Sequence, residues 1–197
     1  MKIHNNVRHH YFALILFIIP VELLMAEQDI LIIDDRSTAD YRSQTGSEWR
    51  LLTDTVMGGV SSGELSIDNI EGQQCIRMRG EVKLDNNGGF VQAALSLDQQ
   101  IVQDIDDYTG LMLQVYGNDQ EYNIHLRTED IWLPWQSYRA TFTAPATWKT
   151  LYIPFTEFKN YRIRKTLNIN KLKRIGIVAI GREFSTDLCI GQLGLYR

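Results

Sequence analysis

From Ile30 onward, apolar residues recur at every second position in short runs, and there is almost no signal at helical spacing. Leu111, Leu113 and Val115 share one face of such a run. Tyr122, Ile124 and Leu126 share another, as do Val91, Ala93, Leu95 and Leu97. A strand with this pattern buries one face and wets the other. Turn-forming residues part the runs: Asn86-Asn87-Gly88-Gly89, Gly117-Asn118-Asp119 and Ala144-Pro145. The first of these reads as a hairpin turn. About ten short strands are expected, within 30–33, 49–52, 63–70, 74–84, 89–97, 111–116, 122–128, 137–142, 150–155, 175–180 and 188–196. Helical turns are expected only near 99–105 and 170–172. Strands this short and this closely spaced imply an all-β fold, an antiparallel two-sheet sandwich of jelly-roll type, and not a βαβ fold. The pattern predicts one domain over residues 28–197.

Residues 1–26 differ. Lys2 and Arg8 precede the unbroken apolar run Tyr11–Ile19, and Leu24-Met25-Ala26 ends the segment before Glu27. This is the layout of a secretory signal peptide, and the run is short for a membrane span. The expectation is export to the periplasm or beyond, with the segment either cleaved or kept as an anchor, and no other membrane span. Beyond residue 26 the sequence holds a single histidine, His125.

That histidine limits catalysis. No His-Glu-x-x-His or phosphate-loop pattern is present, and beyond residue 26 a Ser-His-Asp triad or a multi-histidine zinc site has only His125 to draw on. A glycosidase needs only two facing carboxylates, which a sequence cannot place. Asp34, Asp35 and Asp85 offer oxygen ligands for a cation, but without EF-hand spacing. With 20 Lys+Arg against 24 Asp+Glu the formal charge is -4, so the chain lacks the basic field of a general nucleic-acid binder. Cys75 and Cys189 fall on separate strands. Strand parity does not put both on one face, so two buried thiols are expected, with a disulfide as the alternative.

The block Asp54-Thr55-Val56-Met57-Gly58-Gly59-Val60-Ser61 is the most specific motif. It reads as a loop that folds back over one end of the sandwich, with Asp54 bonding nearby N–H groups and Met57 as an apolar plug. The alternative is a backbone nest for an anion. Further patterns follow in order: Asn87-Gly88-Gly89-Phe90, Tyr108-Thr109-Gly110-Leu111, Tyr122 to Thr128, Trp148 to Phe155 with Phe158, and Ile175-Gly176-Ile177. Together they resemble the complex I intermediate-associated protein 30 family, over Trp49 to the C-terminus. The resemblance implies a galactose-binding-like jelly roll, the architecture of many carbohydrate-binding modules. It also implies a protein partner in complex assembly or chaperoning, no catalysis and no cofactor. The chain departs from the family pattern at Tyr161-Arg162-Ile163-Arg164-Lys165, where a glycine-containing segment is usual.

The polar sides of the alternating strands supply a candidate ligand face. Gln92, Gln114, His125, Arg127 and Arg139 all oppose core-facing neighbours, and Trp132 and Trp135 lie on the connection between two of these strands. Amides and guanidinium groups fix hydrogen-bond directions, and indoles offer flat apolar platforms. Such a face suits a sugar or a peptide. Arg162, Arg164, Lys165, Lys171, Lys173 and Arg174 form a basic stretch, read as a solvated face or a partner-docking patch. Docking of a protein partner and recognition of carbohydrate on this face are the two readings of function.

Overall fold

The alternating runs form two six-stranded antiparallel sheets. The structure, a computed structural model, describes residues 29–98 and 105–197. The expected signal segment and most of the expected turn at 99–105 lie outside these residues. The strands are β1 (Ile30–Asp34), β2 (Trp49–Thr53), β3 (Ser62–Ile70), β4 (Gln73–Val82), β5 (Phe90–Ser96), β6 (Gly110–Tyr116), β7 (Gln120–Thr128), β8 (Ser137–Ala144), β9 (Lys149–Pro154), β10 (Lys159–Tyr161), β11 (Leu172–Ile180) and β12 (Phe184–Tyr196). One sheet, here the back sheet, runs β3-β4-β12-β6-β9 with β1 also paired to β12. The front sheet runs β10-β8-β7-β11-β5-β2. Among the described residues no helix is long and apolar enough to cross a membrane.

The faces sort as the alternation requires. Tyr122, Ile124 and Leu126 of β7 and Leu111, Leu113 and Val115 of β6 are fully buried between the sheets. Each such aliphatic side chain contributes roughly 1.5–3 kcal/mol of transfer free energy. Tyr122 and Tyr138, which are fully buried, keep their hydroxyls paired at the edges of the core. Tyr122 donates to Asn118 Oδ1 at 2.7 Å, and Tyr138 donates toward the carbonyls of Lys165 and Thr166. Pro154 closes β9 on the edge of its sheet, where a missing N–H disrupts no ladder.

Three local expectations need correction. Residues 86–89 do not form a hairpin, because β4 and β5 lie in different sheets. They carry the chain across the sandwich, with Asn86 and Gly89 at positive φ. Strand β10 has only three residues, all exposed, so it leaves no periodic signal. Cys75 and Cys189 are not free thiols but a disulfide between β4 and β12. In β12 the register against β6 shifts between Ile190 and Leu193. Core-facing positions are therefore even before the bulge (Leu188, Ile190) and odd after it (Leu193, Leu195). A uniform parity points Cys189 the wrong way. With the bulge, Cys75 and Cys189 share the side of the back sheet opposite the registered core pair Ile76 and Ile190.

Candidate binding cleft

The outward face of the front sheet carries a cleft of about 630 Å³. Its floor is set by register. His125 lies opposite Gly176 on one side and Arg139 on the other, and Gly176 lies opposite Ala94. Gly176 keeps this row low: the Gln92 amide rests against it, where a Cβ would overlap that amide. Val178 and Ile180 add apolar floor beside Gln92.

Two pairs of connections make the walls. On one side stand Val56 and Met57 from the turn after β2, with Gly88 and Gly89 from the crossing before β5. The Asp54 carboxylate holds both crossings together. It is fully buried and accepts from the backbone N–H groups of Ser61, Gly89 and Phe90 and from the Ser61 hydroxyl. A Cβ at either Gly59 or Gly88 would overlap this carboxylate, while their partners Gly58 and Gly89 take positive φ, which together explain the paired glycines of both motifs. Burial pushes the Asp54 carboxyl up, but these hydrogen bonds outweigh it and hold the group below the ordinary carboxylate range. The nest foreseen for an external anion is thus filled by the chain's own carboxylate.

On the other side stand Pro134, Trp135 and Gln136 of the β7–β8 connection, with Tyr161 and Arg162. Arg127 donates to the carbonyls of Leu133, Pro134 and Gln136 at 3.3, 2.8 and 3.0 Å, which shapes that connection. Gln136 Nε2 reaches the Arg162 carbonyl at 3.0 Å and joins the two segments. The Arg139 guanidinium lies 3.4 Å from the centre of the Tyr161 ring.

His125 sits in this floor almost fully buried, and its Nε2 has no hydrogen-bond partner. Burial, with Arg139 and Arg127 beside it, pushes its pKa down to about 3. The imidazole is therefore neutral across the physiological range. In the unfolded chain it titrates near 6.5, so its contribution to stability is complete above that pH. As pH falls further, the unfolded state takes up a proton that the folded state refuses, and stability drops until pH about 3. Between pH 7.5 and 5 this histidine should remove about 2 kcal/mol. Urea midpoints at the two pH values check this, and His125→Gln should flatten the difference.

The structure brings together Gln92, His125, Arg127, Arg139 and Trp135. It does not bring Gln114 or Trp132. Gln114 belongs to β6 of the back sheet, where its side chain lies against Gly191. Alternation fixes which way a side chain points but not which sheet carries its strand. Trp132 is 87% exposed and outside the cleft lining. Met57 is not a plug: it is 55% exposed on the rim, and Val56 is 72% exposed beside it. Tyr161, Arg162 and Arg174 line the cleft without having been assigned to the face. Arg162 and Arg174 were visible only as part of the basic stretch. Trp148, which donates to the Ile70 carbonyl, and Phe158 are structural. No Asp or Glu lines the cleft, so paired-carboxylate hydrolysis has no seat there. Asp34 is engaged with Trp49 and Arg36, and among the described residues no group of three or more His, Cys, Asp or Glu converges.

A family model described as Complex I intermediate-associated protein 30 matches residues 39–190. No curated protein sequence matches the chain. Among solved structures, the chain is similar to the family 11 carbohydrate-binding module of the cellulosomal cellulase Lic26A-Cel5E of Clostridium thermocellum. Identity is 14%, with 85% of this chain and 94% of that chain covered and a TM-score of 0.66. The Clostridium thermocellum family 11 module in complex with a β-1,3-1,4-mixed-linked tetrasaccharide matches at 13% identity, 84% and 94% coverage and TM-score 0.66. The family 30 module of the cellulase Cel9D-Cel44B of the same organism matches at 12% identity, 85% and 96% coverage and TM-score 0.53. At these identities the likeness shows a shared jelly-roll fold.

Proposed function

Given that the chain belongs to the complex I intermediate-associated protein 30 family, we propose that it is a non-catalytic binding domain whose front-sheet cleft holds an oligosaccharide chain. The observation that carries this reading is the convergence of Gln92, Arg127, Arg139 and Trp135 on one open cleft with no carboxylate in its lining. Saccharides need directional donors and acceptors for their hydroxyls and a flat apolar surface for their ring faces. Amide, guanidinium and indole groups supply both. A tetrasaccharide complex of a module with this fold supports the reading.

A second reading keeps the family's assembly role. It is favoured by the family match and by the exposed side chains of Val56, Met57, Val60 and Leu84, which offer apolar area to a protein partner. Isothermal titration against a panel of neutral and acidic oligosaccharides separates the two. At least one chain should bind, and Trp135→Ala should weaken it about tenfold. Gly176→Ala should weaken it to a similar degree by displacing the Gln92 amide, with the unfolding midpoint little changed. A panel without a binder overturns the saccharide reading and leaves partner docking.

A further inference from the structure

Four arginines line the cleft: Arg127, Arg139, Arg162 and Arg174. They occur in a chain with an excess of acidic residues, yet none of the four forms an ion pair among the described residues. The rest of the molecule shows the usual alternative. On the back sheet, Arg77 and Arg79 face outward and are neutralised by Asp68 and Asp187, with Arg77 held at 2.8 and 2.7 Å. Lys165 and Lys171, from the same basic stretch as Arg162 and Arg174, both reach Asp130.

The cleft arginines also crowd one another. Arg174 on β11 stands directly opposite Arg127 on β7. Like charges directly opposite across a ladder are destabilising. Burial and the Arg174 charge both press the Arg127 pKa downward. Arg139 and Arg162 share the Tyr161 ring, at 3.4 and 5.6 Å from its centre, and burial presses the Arg139 pKa downward against the opposing pull of Tyr161, with the Arg162 charge adding to the fall. Two like-charged pairs therefore stand along one cleft with no carboxylate partner among the described residues, carbonyls accepting from Arg127 and the Tyr161 ring lying against Arg139, and a second, smaller cleft of about 290 Å³ continues past Arg127 and Arg174 toward Lys173. A bound anion would relieve each pair, and guanidinium groups are matched in shape to carboxylates.

Resting on the reading that the cleft holds a saccharide chain, we infer that its ligand is an acidic one, an oligosaccharide bearing carboxylates on at least two of its sugars. The Arg127/Arg174 and Arg139/Arg162 pairs each take one carboxylate. Gln92 and Trp135 between them take hydroxyls and a ring face. A ligand carrying only charge would leave the Gln92 carbonyl and the indole unmatched. A neutral chain would leave both arginine pairs unrelieved.

The test compares tetra- to hexauronates of several linkages with their methyl esters, by calorimetric titration at low and high salt. The acid form should bind at least about tenfold more tightly than its ester, and that advantage should shrink as salt screens it. Arg162→Gln/Arg174→Gln should reduce the acid to the level of the ester. These two side chains hold no neighbouring loop, and an unchanged unfolding midpoint confirms the fold. Equal binding of acid and ester overturns the acidic ligand while leaving the saccharide reading intact. Binding of neither, nor of any neutral chain, overturns both.

Discussion

Asp54→Ala should destabilise the domain by roughly 3–5 kcal/mol, the scale for removing a buried charge that satisfies several donors. The carboxylate joins two distant crossings between the sheets. One runs from β2 in the front sheet to β3 in the back sheet, the other from β4 in the back sheet to β5 in the front. Ser61 belongs to the first, and Gly89 and Phe90 to the junction of the second with β5. Alanine would strand these donors in a space that Gly59 and Gly88 leave no side chain to fill. Asp54→Asn should cost less, since it keeps one acceptor oxygen but turns an amide N–H₂ toward existing donors. The pH dependence has a definite sign. The folded pKa is depressed, so the stabilisation is complete above about pH 4 and is lost as pH falls through the folded value. Urea unfolding of the three proteins measures all of this. A loss below about 1 kcal/mol for Asp54→Ala, the scale of one ordinary hydrogen bond, would remove Asp54 as the tie between the crossings. The same substitution should weaken ligand binding, because it frees the wall that carries Met57, Gly88 and Gly89.

Loss of the disulfide should have a comparable effect. Cys75 and Cys189 are 114 residues apart in sequence. A crosslink closing a loop of that length restricts the unfolded chain strongly, and its removal typically costs about 2–5 kcal/mol. Cys75→Ala/Cys189→Ala should therefore lower the thermal midpoint by roughly 5–15 °C, using the usual scaling for a domain of this size. Reduction of the unaltered protein should give a similar drop. Both sulfurs are deeply buried, so reduction should be slow until the sheet opens. Coincident melting of the reduced and oxidised forms would contradict the crosslink. Front-sheet binding should survive in the folded fraction of either form, since β4 and β12 contribute nothing to the cleft lining.

Much of this architecture was legible in the residues, for a physical reason. A strand half in water must alternate, so β5, β6, β7 and β8 declared both their existence and their outward side chains. Gln92, His125, Arg127 and Arg139 were found this way. Gln114 obeyed the same rule and was misplaced, because alternation does not encode which strands pair. Strand β11 hid Arg174 from the face, since Val178 and Ile180 are apolar on its outward side as well. Tyr161 ends, and Arg162 follows, a three-residue strand with no periodicity, and only the fold brings them to Trp135 and Gln136. The disulfide escaped because a bulge in β12 reverses parity halfway along the strand.

Titration of ¹⁵N-labelled protein with the tightest-binding oligosaccharide, followed by backbone and side-chain NMR shifts, locates the ligand surface. Perturbations should cluster on Gln92, Arg127, Trp135, Arg139, Tyr161 and Arg174, and leave Arg77, Gln114 and Asp187 of the back sheet unmoved. Shifts centred on the outer face of the back sheet, with the front-sheet cleft silent, would contradict the assignment of this cleft as the binding site.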